Sequence, residues 1–218
     1  MIQTKVLPVT EASMAEAVRI LSAGGLVAFP TDTVYGVGAH ALQTQAVEKI
    51  YAAKIRPRDK AIPLLLAKAD DLSIVAESLP PAVWPLVERF WPGALTLVVR
   101  KRAIVSDAVS PGPTVAVRVP DHPVIQALIA AVGAPLATTS ANLAGNPSPV
   151  TAQEVVRELA GRIELILDGG PCPGGVPSTV LDLTTDPPTI LRAGAIAEED
   201  IKDWLRNHEI KCLSEKKV

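Results

Sequence analysis

Ser178-Thr179-Val180-Leu181-Asp182-Leu183-Thr184-Thr185-Asp186-Pro187-Pro188-Thr189-Ile190-Leu191-Arg192 decides what kind of sheet this chain builds. Its two β-branched, apolar runs, 178–183 and 189–192, read as strands separated by a proline-marked turn. Parallel neighbours need a crossover of a dozen or more residues, and Asp186-Pro187-Pro188 is too short a connection for one. The sheet is therefore expected to be mixed, with antiparallel as well as parallel pairs.

Working outward, apolar strand patterns recur at 26–29, 62–66, 94–99, 114–119 and 165–168. Helical patterns separate them at 12–23, 44–51, 81–90, 123–132, 151–159 and 198–206. Ala15, Val18, Ile20 and Leu21 share the apolar side of the first helix, and Gly24-Gly25 stops it. Thr44 reads as a cap for the second, and Thr151 with Glu154 forms a capping box for the fifth. Residues 30–38 read as a turn rich in hydroxyls and glycine, and 138–149 as a polar loop after an apolar strand. Alternating strands and helices give an α/β class: a single domain over 1–196, closed by a helix and a fraying lysine-rich tail over 197–218.

Composition narrows the function. The chain has 218 residues, 48% of them hydrophobic but only 3% aromatic, so its core is aliphatic. A formal charge of -2 argues against a protein that coats nucleic acid, although a local basic groove stays open. No apolar run is long enough to cross a bilayer, and the start lacks a signal-peptide pattern, so the expected location is cytoplasmic. Cys172 and Cys212 give neither a disulfide framework nor metal spacing, and His40, His122 and His208 are scattered. Neither the P-loop nor the dinucleotide fingerprint is present; Tyr35-Gly36-Val37-Gly38 fails on spacing.

The charged stretch Lys54-Ile55-Arg56-Pro57-Arg58-Asp59-Lys60 puts four cations at every second position. In an extended segment they share one face, a row suited to oxyanions; the same run also fits a solvated loop. Alternation over 114–119 sets Thr114, Ala116 and Arg118 opposite Val115, Val117 and Val119. An arginine in so apolar a strand needs an anion, in an ion pair or in a ligand. Strand ends bearing Thr33, Lys54, Arg56, Lys60, Arg118, Ser140, Asn142, Ser148, Ser178 and Arg192 supply cations and small donors without an evident general base. Such a set suits phosphoryl or nucleotidyl transfer to an anionic nucleophile.

Seven ordered motifs then give a specific resemblance: Phe29-Pro-Thr-Asp-Thr-Val-Tyr-Gly, Lys54-x-Arg56-Pro, Trp91-Pro-Gly-Ala-Leu-Thr, Val115-Ala-Val-Arg118-Val-Pro, Ser140-Ala-Asn142 with Gly145-Asn-Pro-Ser148, Ser178-Thr-Val, and Leu191-Arg192-x-Gly194. Together they resemble the YrdC-type threonylcarbamoyl-AMP synthase family over about residues 12–196. The resemblance implies a twisted α/β sheet around a concave basic pocket. It also implies synthesis of threonylcarbamoyl-adenylate and pyrophosphate from L-threonine, bicarbonate and ATP, for threonylcarbamoyl-adenosine in tRNA. By motif position Thr33, Arg118, Thr138 and Ser178 line the threonine side, and Arg56, Lys60, Thr114, Ser140, Ser148 and Arg192 contact ATP. Lys54 and Asn142 complete catalytic pairs with Arg56 and Ser140 beside the reacting phosphates.

Magnesium is expected with ATP, without assignable protein ligands. Many relatives carry a histidine in the threonine pocket where this chain has Leu65, and the additional C-terminal domain of longer relatives is expected to be missing. Two other readings stand beside this one: a double-stranded RNA-binding module without turnover, and a carbamoyl-adenylate enzyme like the related domain of hydrogenase maturation proteins. The downstream partner implied is the tRNA threonylcarbamoyl transferase machinery.

Overall fold

Thr10 opens the first helix, α1 (Glu11–Ser22): its hydroxyl accepts the Ser13 N–H at 3.2 Å, and the Ser13 hydroxyl accepts the Thr10 N–H at 2.9 Å. The chain leaves that helix through Gly24, at φ 76, where a glycine avoids the strain of the left-handed region. The computed structural model describes residues 2–81, 83–208 and, for the backbone alone, 213–214. The expected lysine-rich fraying end lies largely outside them.

In chain order the elements are β1 (Lys5–Pro8), α1, β2 (Val27–Phe29), β3 (Gly36–His40), α2 (Thr44–Lys54), β4 (Leu64–Leu65), α3 (Leu72–Val75), α4 (Val83–Phe90), β5 (Leu95–Arg100) and β6 (Thr114–Arg118). Then follow α5 (Pro123–Val132), β7 (Leu136–Ser140), α6 (Ala152–Leu159), β8 (Leu165–Asp168), β9 (Thr179–Asp182), β10 (Thr189–Arg192), α7 (Glu198–Asn207) and β11 (Leu213–Ser214). Among the described residues the strands form one sheet, in the order β1-β8-β2-β3-β7-β4-β6-β5-β9-β10-β11. It is mixed, as expected: β9 and β10 pair antiparallel across the Pro187-Pro188 turn, whereas β5 and β9 pair parallel.

Strand alternation sends successive side chains into two separate cores. Val27, Phe29, Leu165 and Leu167 meet Ile20 and Leu21 of α1 and Ile125, Leu128 and Ile129 of α5. Ala28 and Ile166 turn the other way, with Leu95, Leu97, Val115 and Val117, towards Ile50 of α2, Leu86 of α4, Val155 of α6 and Ile201 of α7. The sheet is thus sandwiched by helices, but α1 and α5 cover only one end of their face. Over β6, β5 and the entry to β9 that face carries Arg118, Thr96 and Ser178 instead of aliphatic side chains, and there the site lies.

Several local expectations are corrected. Residues 36–38 are not turn but the start of β3, and Gly36 and Gly38 let that strand lie close against the Phe29 ring; a Cβ on Gly38 would sit 2.9 Å from it. Thr138 to Ser140 likewise belong to β7, paired with β3, before the polar loop begins. The cap of α2 is Gln43, without a side-chain hydrogen bond, rather than Thr44. A 3-10 turn at Ala69–Asp71 and the short α3 had no sequence signal strong enough to read.

Ile55, which ends α2, is left-handed at φ 53, ψ 42, with 66% of its surface exposed. A β-branched residue is poorly suited there, at roughly 1–2 kcal/mol. Ile55→Gly should raise the melting temperature by roughly 1–3 °C despite glycine's extra chain entropy. A fall on a thermal melt would show that the isoleucine side chain contributes more than its backbone strain removes.

Candidate active site

The uncovered end of the sheet forms a cavity of about 300 Å³ lined by residues from distant parts of the chain, among them Thr33, Arg56, Leu65, Arg118, Thr138, Ser140, Ser148, Ser178 and Arg192. Its lining holds three arginines and no carboxylate, histidine or cysteine. A cavity so built attracts and orients anions, and offers no side chain to act as a strong base.

Arg118 stands at its centre, 6% exposed. Its Nε donates to Gly93 O at 2.7 Å, Nη1 to Thr33 Oγ1 at 3.3 Å, and Nη2 to both Asp32 carboxylate oxygens at 2.5 Å. Burial lowers its pKa and the Asp32 charge opposes that, so Asp32 is the anion that a buried arginine requires. Thr31 fixes the loop that bears this acid: its hydroxyl accepts the N–H groups of Thr33 and Val34 and donates to Val34 O at 2.7 Å.

Arg192 enters from β10. It donates from Nη2 to Ser178 O at 2.7 Å and to Ser178 Oγ at 3.2 Å, while Thr96 Oγ1 lies 2.8 Å from the same serine hydroxyl. Gly194 permits this, since a Cβ there would fall 2.4 Å from the Pro177 and Ser178 backbone. Burial depresses the Arg192 guanidinium, and the charge of Arg118 adds to it, so the two cations share one electropositive space.

The cation row does not form. Lys54 ends a helix and is 1% exposed, with Nζ donating to the carbonyls of Ser140 and Asn142. The left-handed Ile55 then reverses the chain, so Arg56 alone among the four reaches the cavity. Its guanidinium donates to Lys60 O at 3.2 Å and to Ala61 O at 2.8 Å. Arg58 points outward to Glu48 and over the Tyr51 ring, and Lys60 is exposed. Period-two spacing had implied one face because a strand was assumed where a helix end and a turn stand.

Of the residues singled out from sequence, Thr33, Arg56, Arg118, Thr138, Ser140, Ser148, Ser178 and Arg192 share the cavity; Lys54, Lys60, Thr114 and Asn142 are outside its lining. Thr114 is at the far end of β6, four residues and so about 13 Å along the strand from Arg118. Asn142 is 5% exposed; its Nδ2 donates to Leu143 O and Asn146 O, and its Oδ1 has no partner among the described residues. Sequence reading missed Thr96 and Asp32 as part of the site. Thr96 was discoverable as the strand neighbour of Arg118, and Asp32 as the anion Arg118 demanded. Among the described residues no group of three acidic, histidine or cysteine side chains could hold a metal ion, and no helix is long and apolar enough to cross a membrane.

Comparison with known proteins adds to this geometry. A family model described as telomere recombination (Sua5, YciO, YrdC) matches residues 19–194. A Bacillus subtilis protein named threonylcarbamoyl-AMP synthase is 46% identical over 91% of this chain and 58% of its own length. A Pyrococcus abyssi protein of the same name is 44% identical over 85% of this chain and 55% of its own. The crystal structure of P. abyssi Sua5 complexed with L-threonine superposes with a TM-score of 0.89 at 40% identity, covering 97% of this chain and 62% of that one. The chain thus spans little more than half the length of these two curated relatives.

Proposed function

Because this chain belongs to the Sua5, YciO and YrdC family, we propose that it is an L-threonylcarbamoyladenylate synthase, using L-threonine, bicarbonate and ATP. The observation that carries the reading is the cavity itself: three arginines and a ring of hydroxyls, with no acid or base in the lining. Threonine's amine and bicarbonate give a carbamate with loss of water. One carbamate oxygen attacks the α-phosphorus of ATP, the bond to the β-phosphate breaks, and pyrophosphate leaves. The carbamate is already an anion, so the site needs no strong base to make its nucleophile; it must hold two anions together.

Arg118, with Thr33, Thr138 and Ser178 around it, takes the threonine side. Arg118 is pre-oriented by Asp32 and Gly93, and a substrate carboxylate reaches a guanidinium that is already fixed. Arg56, Ser140, Ser148 and Arg192 take the nucleotide side. Lys60 on the exposed turn and Thr114 on β6 belong to it by motif position, and meet only a nucleotide that extends past the cavity. Lys54 and Asn142 act from behind the wall, through the loop they hold. Magnesium would come as part of the ATP substrate and would supply charge against the leaving pyrophosphate, with no side chain here assigned to hold it. Leu65 in the lining gives the threonine methyl an apolar contact. The product serves the tRNA threonylcarbamoyl transferase machinery, in the cytoplasm.

The test is pyrophosphate release by the purified protein. Release is expected only when ATP, threonine and bicarbonate are all present. Equal release with carbamoyl phosphate in place of threonine and bicarbonate would assign a carbamoyl-adenylate enzyme instead. No release under either condition, with tight binding of double-stranded RNA, would make the chain a binding module.

A further inference from the structure

Two of the cavity's hydroxyls, Ser140 and Ser148, bracket a loop that is held by residues outside the cavity lining. Lys54, at the end of α2, donates to Ser140 O and Asn142 O, and the Ala144 N–H returns to the Lys54 carbonyl at 2.9 Å. On α6, Glu158 accepts the Leu143 N–H at 2.8 Å and Asn146 Nδ2 at 2.8 and 3.1 Å. Asn142 Nδ2 closes the loop on itself through Leu143 O at 2.8 Å and Asn146 O at 2.7 Å. An ammonium from one helix and a carboxylate from another therefore fix the same short loop. Their charges also act on each other. Burial drives Lys54 down to about 7, the Arg56 charge pushes the same way, and Glu158 opposes both. Asn146 and the Leu143 N–H hold Glu158 below the usual carboxylate range, so it stays ionised.

We propose that Glu158 is a positioning residue for the nucleotide half of the site, setting the place of Ser140 and Ser148 through the loop between them. Its role rests on the reading that these hydroxyls contact ATP. Glu158 is outside the cavity lining and reaches the loop through Leu143 and Asn146. By contrast Glu154, one turn earlier on α6, accepts the Val150 and Thr151 N–H groups at 2.7 and 3.1 Å and serves the helix cap.

Calorimetric binding of ATP with magnesium to Glu158→Gln tests this, with Glu154→Gln as the control on the same helix. Glutamine keeps one acceptor but loses the charge and the second carboxylate oxygen. The Kd for ATP should rise about tenfold, the size of one lost charge-assisted hydrogen bond. The pH profile should move as well. Lys54 is ammonium below about 7 and loses its proton above it, so its support of the loop, and with it ATP affinity, falls as pH rises through that value. Arg56 and Glu158 are the charged groups facing Lys54; without the Glu158 charge the fall should begin at lower pH. Glu154→Gln should lower the melting temperature and leave both ATP affinity and its pH profile unchanged. Unaltered ATP affinity and pH profile in Glu158→Gln, or an equal loss in Glu154→Gln, overturns the proposal. Wild-type protein that fails to bind ATP overturns it together with the proposed reaction, whereas binding without pyrophosphate release refutes the reaction alone.

Discussion

Arg56→Ala should lower kcat/KM for ATP by at least about 10²-fold while the protein melts within a few degrees of wild type. Arg56 is the member of the Lys54-x-Arg56 pair that reaches the cavity, and its hydrogen bonds go to the carbonyls of an exposed turn, Lys60 and Ala61. Bonds to such carbonyls contribute little to stability, because water replaces them when the side chain is gone. A guanidinium beside a transferring phosphate is different: it meets charge that develops in the transition state, where water is excluded. Arg56→Lys should recover only part of the rate, since a point charge cannot match the planar fork. Wild-type kcat/KM in Arg56→Ala would show that this cation is a solvated loop residue and would remove the nucleotide half of the site.

Arg118→Ala should abolish threonine-dependent pyrophosphate release and, unlike Arg56→Ala, should also destabilise the fold. Asp32 is mostly buried and its two oxygens are both held by Arg118. Removing one partner of such a pair leaves an uncompensated charge, at a cost of about 3–5 kcal/mol. For a chain of this size that corresponds to a fall in melting temperature on the order of 10 °C. Pairing the change with Asp32→Asn separates the two effects. The double variant should regain most of the stability and none of the threonine dependence. If the double variant melted as low as Arg118→Ala, the ion pair would not be the source of the loss. Retained threonine dependence in either variant would place the amino-acid site elsewhere.

The contrast between these two arginines marks how far sequence reading reached. Both were singled out by local chemistry, Arg118 because it interrupts a valine-rich strand and Arg56 because it belongs to a dense charge run. For Arg118 the alternation rule placed the side chain opposite Val115 and Val117, and the structure agrees, since those valines enter the core. For the charge run the same rule failed. A period of two has meaning only in a strand, and Lys54 closes a helix. Lys54 then turned out to be a buried strut for the Ser140 and Asn142 carbonyls, not an open cation.

Sequence by itself determined what depends on near neighbours: the stop of the first helix at Gly24-Gly25, the helix opened by Thr151, the antiparallel turn at Pro187-Pro188, and hence a mixed α/β sheet. These signals act across three or four residues, where covalent geometry and local hydrogen bonds dominate. Only the tertiary structure decided which end of the sheet face α1 and α5 leave bare, and that Asp32 would meet Arg118 and Lys54 would meet Ser140. Those partners are more than eighty residues apart and come together through strand register and helix packing, which no local pattern encodes.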